Sequence, residues 1–234
     1  MRKVFIFIFS AIFLATAWMT VGHFYNDYLM EAESIRARYV ALNTVEADVN
    51  GVCFAALHDV FSNSDIVAHL LVPGTSIDYY VVQGYDNEFY LTHNIWREPV
   101  ASGWVFLDYR VDLSGDDHNW VIYGHNMQRD HKFHSLRRFA AREFFETHPV
   151  IILTTPQNVY TWEIFSFYST HVDFGYNAVN FSDRQEMLSR FIALSRHDAG
   201  VSVSSDDRIL TLSTCTNRND DERYVLHARL SATA

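Results

Sequence analysis

The chain of 234 residues is 49% hydrophobic and 15% aromatic, with nine glycines and four prolines, which excludes wholesale disorder and low-complexity or collagen-like architecture. Its 18 basic and 28 acidic residues give a formal charge of −10, and residues 23–234 alone carry −12, so no nucleic acid is expected as a partner. Two cysteines, Cys53 and Cys215, are too few for a disulfide scaffold and lack the spacing of a zinc site, so any role they have is as thiols.

The first element in chain order is the uncharged run of 19 residues from Val4 to Gly22. A helix of that length reaches ~28 Å at about 1.5 Å per residue, close to the hydrocarbon thickness of a bilayer. Behind Arg2 and Lys3 it reads as an uncleaved transmembrane anchor within residues 1–26. A cleaved signal peptide starts the same way, but this apolar stretch is longer than a signal core, and the residues around its end, Trp18, Met19, His23, Phe24 and Tyr25, are bulky. The positive charges predict a cytoplasmic N-terminus, with the rest of a single-pass cell-membrane protein outside.

Residues 27–64 are polar and helix-prone, broken at Gly51, and predict a helical stalk with a second short helix at Val52–Phe61. Cys53, beside Phe54, reads as a buried and inert thiol. Residues 65–234 form the remaining domain, a series of short β-rich runs: Ile66–Val72, Ile77–Gln83, Gly103–Asp108, Trp120–Tyr123, Val150–Leu153, Val159–Phe167, Arg208–Thr214 and Arg223–Leu230. Eight strands at turn-punctuated intervals predict a barrel or a sandwich. Short helices are expected at His134–Ala140 and Arg142–Thr147, and a longer amphipathic one at Asp183–Arg196, capped by Ser182 with Gln185. Trp162, Phe165, Phe167 and Tyr168 read as core.

Cys215 ends an apolar strand, and a polar turn then leads to Arg223 at the start of the next, so an antiparallel hairpin brings Arg223 back beside the thiol. His125 follows Gly124 at the end of another apolar strand, which lets all three groups meet at sheet edges. The chemistry asks for this trio. A thiol near its ordinary pKa needs a neighbouring base or cation, a histidine protonates a leaving amine, and a guanidinium holds an oxyanion. Each residue taken singly reads more readily as structure, Cys215 as a small buried hydrophobe and His125 and Arg223 as surface or satisfied side chains.

The sequence TLSTC at 211–215, with Arg223 eight residues on and YGHNM at 123–127, is similar to the sortases, membrane-anchored cysteine transpeptidases of Gram-positive bacteria. Pro73–Gln83, Asp86–Leu91 and Gly103–Asp108 match in order, and the N-terminal helices with the long helix between the sixth and seventh strands resemble class B. The resemblance, over about residues 65–231, implies a mainly β fold: an eight-stranded sortase-like β-barrel with N-terminal helices. It implies that Cys215 attacks the carbonyl after the Thr of a C-terminal sorting signal, that His125 protonates the departing amine, and that Arg223 holds the peptide or oxyanion. A cell-wall amine, from a peptidoglycan precursor or a pilin lysine, then resolves the thioester.

By matching position, Asn87 and Leu91 in an early helix, Tyr176 before the long helix, and Ser213 beside the nucleophile are expected to bind substrate. Val172 and Asn177 stand where a Thr and an Ile occur in a well-known member, a difference that bears on motif specificity. A thiol protease acting on the same signal, or an inactive barrel that binds wall proteins, remain the competing expectations. No cofactor is implied and no metal is expected. His118, His125, His131 and His134 match no ligand spacing, and Asp112, Asp116 and Asp117, like Asn219, Asp220, Asp221 and Glu222, read as solvated acidic turns. A disulfide between Cys53 and Cys215 is not expected, because it would block the nucleophile.

Overall fold

Runs of β-branched and aromatic residues separated by polar turns form all eight expected strands. A computed structural model describes residues 2–43, 52–127, 130–216 and 221–234. The strands are β1 (Ile66–Leu71), β2 (Asp78–Val82), β3 (Phe106–Leu107), β4 (Asn119–Tyr123), β5 (Val150–Thr154), β6 (Val159–His171), β7 (Ile209–Cys215) and β8 (Glu222–Thr233). They close a barrel in the order β1, β2, β3, β4, β7, β8, β6, β5, which leaves no open edge among them. The β2–β3 and β4–β7 pairs are parallel and the other neighbours antiparallel. The expected third strand is shorter than its apolar run because the chain turns at Gly103, with φ +51°, before pairing begins.

Leu70, Val81, Trp120, Leu153, Trp162, Leu212 and Leu226 are fully buried, and Trp120 lies 5.5 Å from Trp162 between ring centroids. Phe165, Phe167 and Tyr168 are core residues, as their aromatic run implies.

The helix α2 (Phe54–Phe61) buries Phe54, Leu57 and Phe61 on one face, and Phe61 packs edge-on against Trp96 at 5.1 Å. Gly51 lies outside the described residues. Cys53 is the N-cap of this helix in extended backbone and is half-buried, which corrects the expectation of a buried thiol. Both cysteines are free thiols. Residues 134–140 form a 3-10 helix, followed by α3 (Arg142–Thr147). Between β6 and β7 stands α4 (Arg184–Leu194). Its cap is Asp183, whose carboxylate accepts from the Glu186 amide at 2.8 Å, and not the expected Ser182, because the helix starts one residue later.

The chain divides into two compact units, Met1–Tyr39 and Val40–Ala234. The first is built on the helix α1 (Arg2–Asn43). This helix passes without a break from the apolar 4–22 run into sequence containing Asp27, Glu31, Glu33, Arg36 and Arg38. Among the described residues, no helix is long and apolar enough to cross a membrane. That finding corrects the expected transmembrane anchor, the membrane partner and the single-pass localisation.

Candidate active site

Strand register alone gathers the catalytic candidates. In the β7–β8 hairpin, Cys215 stands directly opposite Arg223. β4 runs parallel to β7 with Tyr123 level with Ser213, and the Gly124 amide donates to the Ser213 carbonyl at 3.2 Å. Carrying that register two residues further brings His125 level with Cys215. The nucleophile candidate therefore lies between a histidine from one neighbouring strand and an arginine from the other. Gly124 is required at this crossing, because a Cβ there would come within 2.8 Å of the Phe133 ring.

These groups open into a groove of about 280 Å³ whose lining includes all seven residues expected from sequence: Asn87, Leu91, His125, Tyr176, Ser213, Cys215 and Arg223. Leu91 ends the 3-10 helix Phe89–Leu91, whereas Asn87 lies in the turn before it and not within a helix. The His125 ring is oriented by Nε2, which donates to the Leu91 carbonyl at 2.9 Å; a carbonyl only accepts, so Nε2 carries hydrogen. Tyr176 OH and Ser213 Oγ are hydrogen-bonded at 2.8 Å, with Ser213 two residues before Cys215 on β7. Burial pushes the Tyr176 phenol up, an effect that the Ser213 bond and the Arg223 guanidinium partly offset.

The groove is also lined by Phe106 and Tyr123, which sequence reasoning did not select, and by Val172 and Asn177, which it singled out only for their bearing on motif specificity. Tyr123 OH donates to Asp108 at 3.0 Å and accepts from Asn177 Nδ2 at 3.2 Å. Asp108 is fully buried and also accepts from Asn87 Nδ2 at 2.9 Å and from the Arg110 guanidinium at 2.8 and 2.6 Å. Burial alone would raise its carboxyl, but the bonds from Arg110 and Asn87 outweigh burial and hold it below the usual carboxylate range. One carboxylate thus organises Asn87, Tyr123 and, through Arg110 donating to the Asn177 carbonyl at 3.0 Å, the opposite wall. Its signal was visible as Asp108 ending the Gly103–Asp108 run, two residues before Arg110.

A second link joins the nucleophile to the histidine loop. Asn126 Nδ2 donates to the Cys215 carbonyl at 2.6 Å, and its Oδ1 accepts from His134 Nδ1 at 2.7 Å. His134 is pushed down by burial first and Arg137 second. The same loop is held by Phe133, whose amide donates to the His125 carbonyl at 3.0 Å. It is held again by Lys132, buried with its ammonium 3.6 Å from the centroid of the Trp104 ring.

Among the described residues, no group of three or more His, Cys, Asp or Glu is arranged to hold a metal ion; Asn219 and Asp220 lie outside the described residues. Asp112 accepts from the Ser114 amide and hydroxyl at 2.9 and 2.6 Å, the geometry of an exposed turn.

Comparison with known proteins follows the same lines. The family model of the sortase domain matches residues 70–231. Sortase B of Listeria monocytogenes is 33% identical over 230 residues, covering 94% of this chain and 92% of that protein. Sortase B of Staphylococcus aureus is 32% identical over 173 residues, 72% of this chain and 71% of that protein. Among solved structures, Clostridium perfringens sortase B superposes with a TM-score of 0.70 at 34% identity, over 75% of this chain and 100% of that one. A Staphylococcus aureus sortase B–substrate complex gives 0.77 at 28% identity, over 88% of this chain and 97% of that one.

Proposed function

The chain belongs to the sortase family and within it to class B, and from that premise we propose that it cleaves a C-terminal sorting signal after Thr and transfers the protein to a cell-wall amine. What carries the reading is the convergence of Cys215, His125 and Arg223 on one groove that an extended peptide could occupy. Cys215 Sγ, as thiolate, adds to the carbonyl carbon after Thr. The developing oxyanion is held by Arg223, since the Thr216 amide that follows the nucleophile already donates to the Glu222 carbonyl at 3.1 Å. The C–N bond breaks as His125 gives its proton to the departing amine, leaving a thioester. An acceptor amine then adds to the thioester carbon, returns a proton to His125 and expels the Cys215 thiolate, forming a new amide. Asn87, Leu91, Tyr176 and Ser213 bind the signal peptide.

The test incubates the purified chain with fluorogenic LPxTG-, NPxTN- and PPxTG-like peptides, with and without added amine. Cleavage lost in Cys215→Ala, with amide product formed when amine is present, is the expected result. Equal rates in wild type and Cys215→Ala sink the enzyme reading, and free acid as the sole product in excess amine supports the thiol protease. Arg223→Lys is expected to lower kcat/KM by roughly 100-fold, because an ammonium replaces a planar fork with a point charge.

A further inference from the structure

The loop from Val172 to Phe181 forms one wall of the groove through Val172, Tyr176 and Asn177, and its Tyr176 hydroxyl bonds to Ser213 on the strand that carries the nucleophile candidate. Its backbone is held at Val172, whose amide donates to the Asp221 carbonyl at 2.9 Å, and at the Asn177 carbonyl by Arg110. On either side of Asn177 it is held by a residue outside the groove. Asn119, the first residue of β4, is fully buried and donates its two amide hydrogens to the Tyr176 carbonyl at 3.0 Å and the Ala178 carbonyl at 2.9 Å. Its own backbone amide donates to the Val179 carbonyl at 3.0 Å. Three carbonyls within four residues of the wall therefore rest on one side chain and its peptide.

The orientation of that side chain is fixed from behind by a chain of hydrogen bonds with one possible direction. Both Nδ2 hydrogens are used on carbonyls, so Asn119 Oδ1 accepts the Thr211 hydroxyl at 2.5 Å. Thr211 Oγ1, having spent its hydrogen, accepts from His227 Nδ1 at 2.8 Å. His227 Nε2 is then the acceptor for Tyr168 OH at 2.8 Å. The His227 ring is fully buried and stacks on Phe191 of α4 at 3.8 Å between centroids. Every donor and acceptor in the series is matched, and a buried amide turned the wrong way would leave several unmatched at once.

We propose that Asn119 is a positioning residue for the sorting reaction: it sets the height of the Tyr176–Ala178 wall and thereby the fit of the peptide in the groove, while leaving the reactivity of Cys215 unaffected. The assignment rests on the sortase reading for its catalytic consequence, though not for its structural one. Asn119→Asp replaces the amide nitrogen and its two donor hydrogens with a carboxylate oxygen that faces both carbonyls. Thr211→Val keeps the packing but removes the bond that orients the amide.

The experiment pairs hydrogen exchange of wild type and both variants with kinetics on the peptide that wild type cleaves. The expected result is faster exchange confined to residues 172–181, a KM raised roughly tenfold with kcat changed by less than about threefold, and an unchanged rate of Cys215 modification by a small methanethiosulfonate reagent. Unchanged exchange in the loop overturns the proposal. Faster loop exchange with unchanged KM, or Cys215 modification slowed in step with kcat/KM, overturns it also. If Asn119→Asp exchanges rapidly throughout the barrel, Thr211→Val decides by the same criteria. Failure of wild type to cleave any peptide counts against the sortase reading instead, and the exchange data then judge the hold of Asn119 on the loop alone.

Discussion

Asp108 is the residue on which several groove positions depend without its touching the groove. Its carboxylate is held below its ordinary pKa, so the folded state favours the ionised form more than the unfolded chain does, and the associated stability is present at neutral pH. It is lost as pH falls below the unfolded value near 4 and through the lower folded one. Asp108→Asn is therefore expected to lower unfolding free energy at pH 7 by roughly 2–3 kcal/mol, and the gap from wild type to narrow as acid protonates the native carboxyl. Denaturant titrations at pH 7 and at pH 3 check this, and a gap that is constant or widens in acid contradicts it. The residue scale is also where sequence was both most and least informative. Cys215, His125 and Arg223 stood out jointly, because the TLSTC run, the arginine eight residues on and the YGHNM run resemble one family pattern, and the register brought them together. Asn119 is an ordinary polar residue whose partners lie far along the chain, so nothing local marked it. Asp108 was marked only by Arg110 two residues on and Asn126 only by its place in the YGHNM run, while their other partners, Asn87, Tyr123 and Cys215, lie farther off in sequence.

At the scale of elements, the eight strands and α3 were legible because apolar periodicity and turn residues agree over each of them. The shortened β3 was not, because its apolar run continues through a turn that Gly103 makes possible. A Cβ on Gly103 would sit 2.4 Å from the Tyr90 carbonyl oxygen and 2.6 Å from that of Leu91, in a backbone conformation that favours glycine. The Leu91 carbonyl is the partner of His125, so this turn bears on both stability and the site. Gly103→Ala is expected to cost about 1–3 kcal/mol and to reduce kcat/KM beyond what loss of folded protein explains, measured by thermal unfolding alongside peptide cleavage at a temperature where the variant is fully folded. Full activity per folded molecule would show that the turn does not transmit to His125. The α4 cap was misplaced by one residue because Ser182 and Asp183 are both good caps in sequence, and only the start of the helix distinguishes them.

At the scale of the whole molecule, one buried base couples the fold to pH. Burial pushes His227 down to about 3, and its contacts are the Tyr168 and Thr211 hydroxyls and the rings of Phe165, Tyr168 and Phe191, with no carboxylate among them. The unfolded chain takes up a proton near pH 6.5 that the native barrel refuses, so stability falls as pH drops from there toward 3, by about 1.4 kcal/mol per pH unit from this group. His227→Gln is expected to be less stable than wild type at pH 8 but to lose stability with acid less steeply, by about one proton's worth of slope. Equal slopes in urea titrations between pH 6 and 4 would contradict this. The overall fold was legible as a barrel or sandwich from strand count and spacing. The order around the barrel was not, since the pairings of β1 with β5, β4 with β7 and β6 with β8 join segments that share no local signal.

That order also dictates when the site comes into being. β8 is both the last strand in sequence and the one that zips β7 to β6, so until it emerges during synthesis both neighbours present unpaired backbone to their surroundings. It also carries Arg223. A growing chain halted between residues 215 and 223 thus holds the thiol without the guanidinium that faces it, and the strand that completes the barrel is the same one that completes this pair.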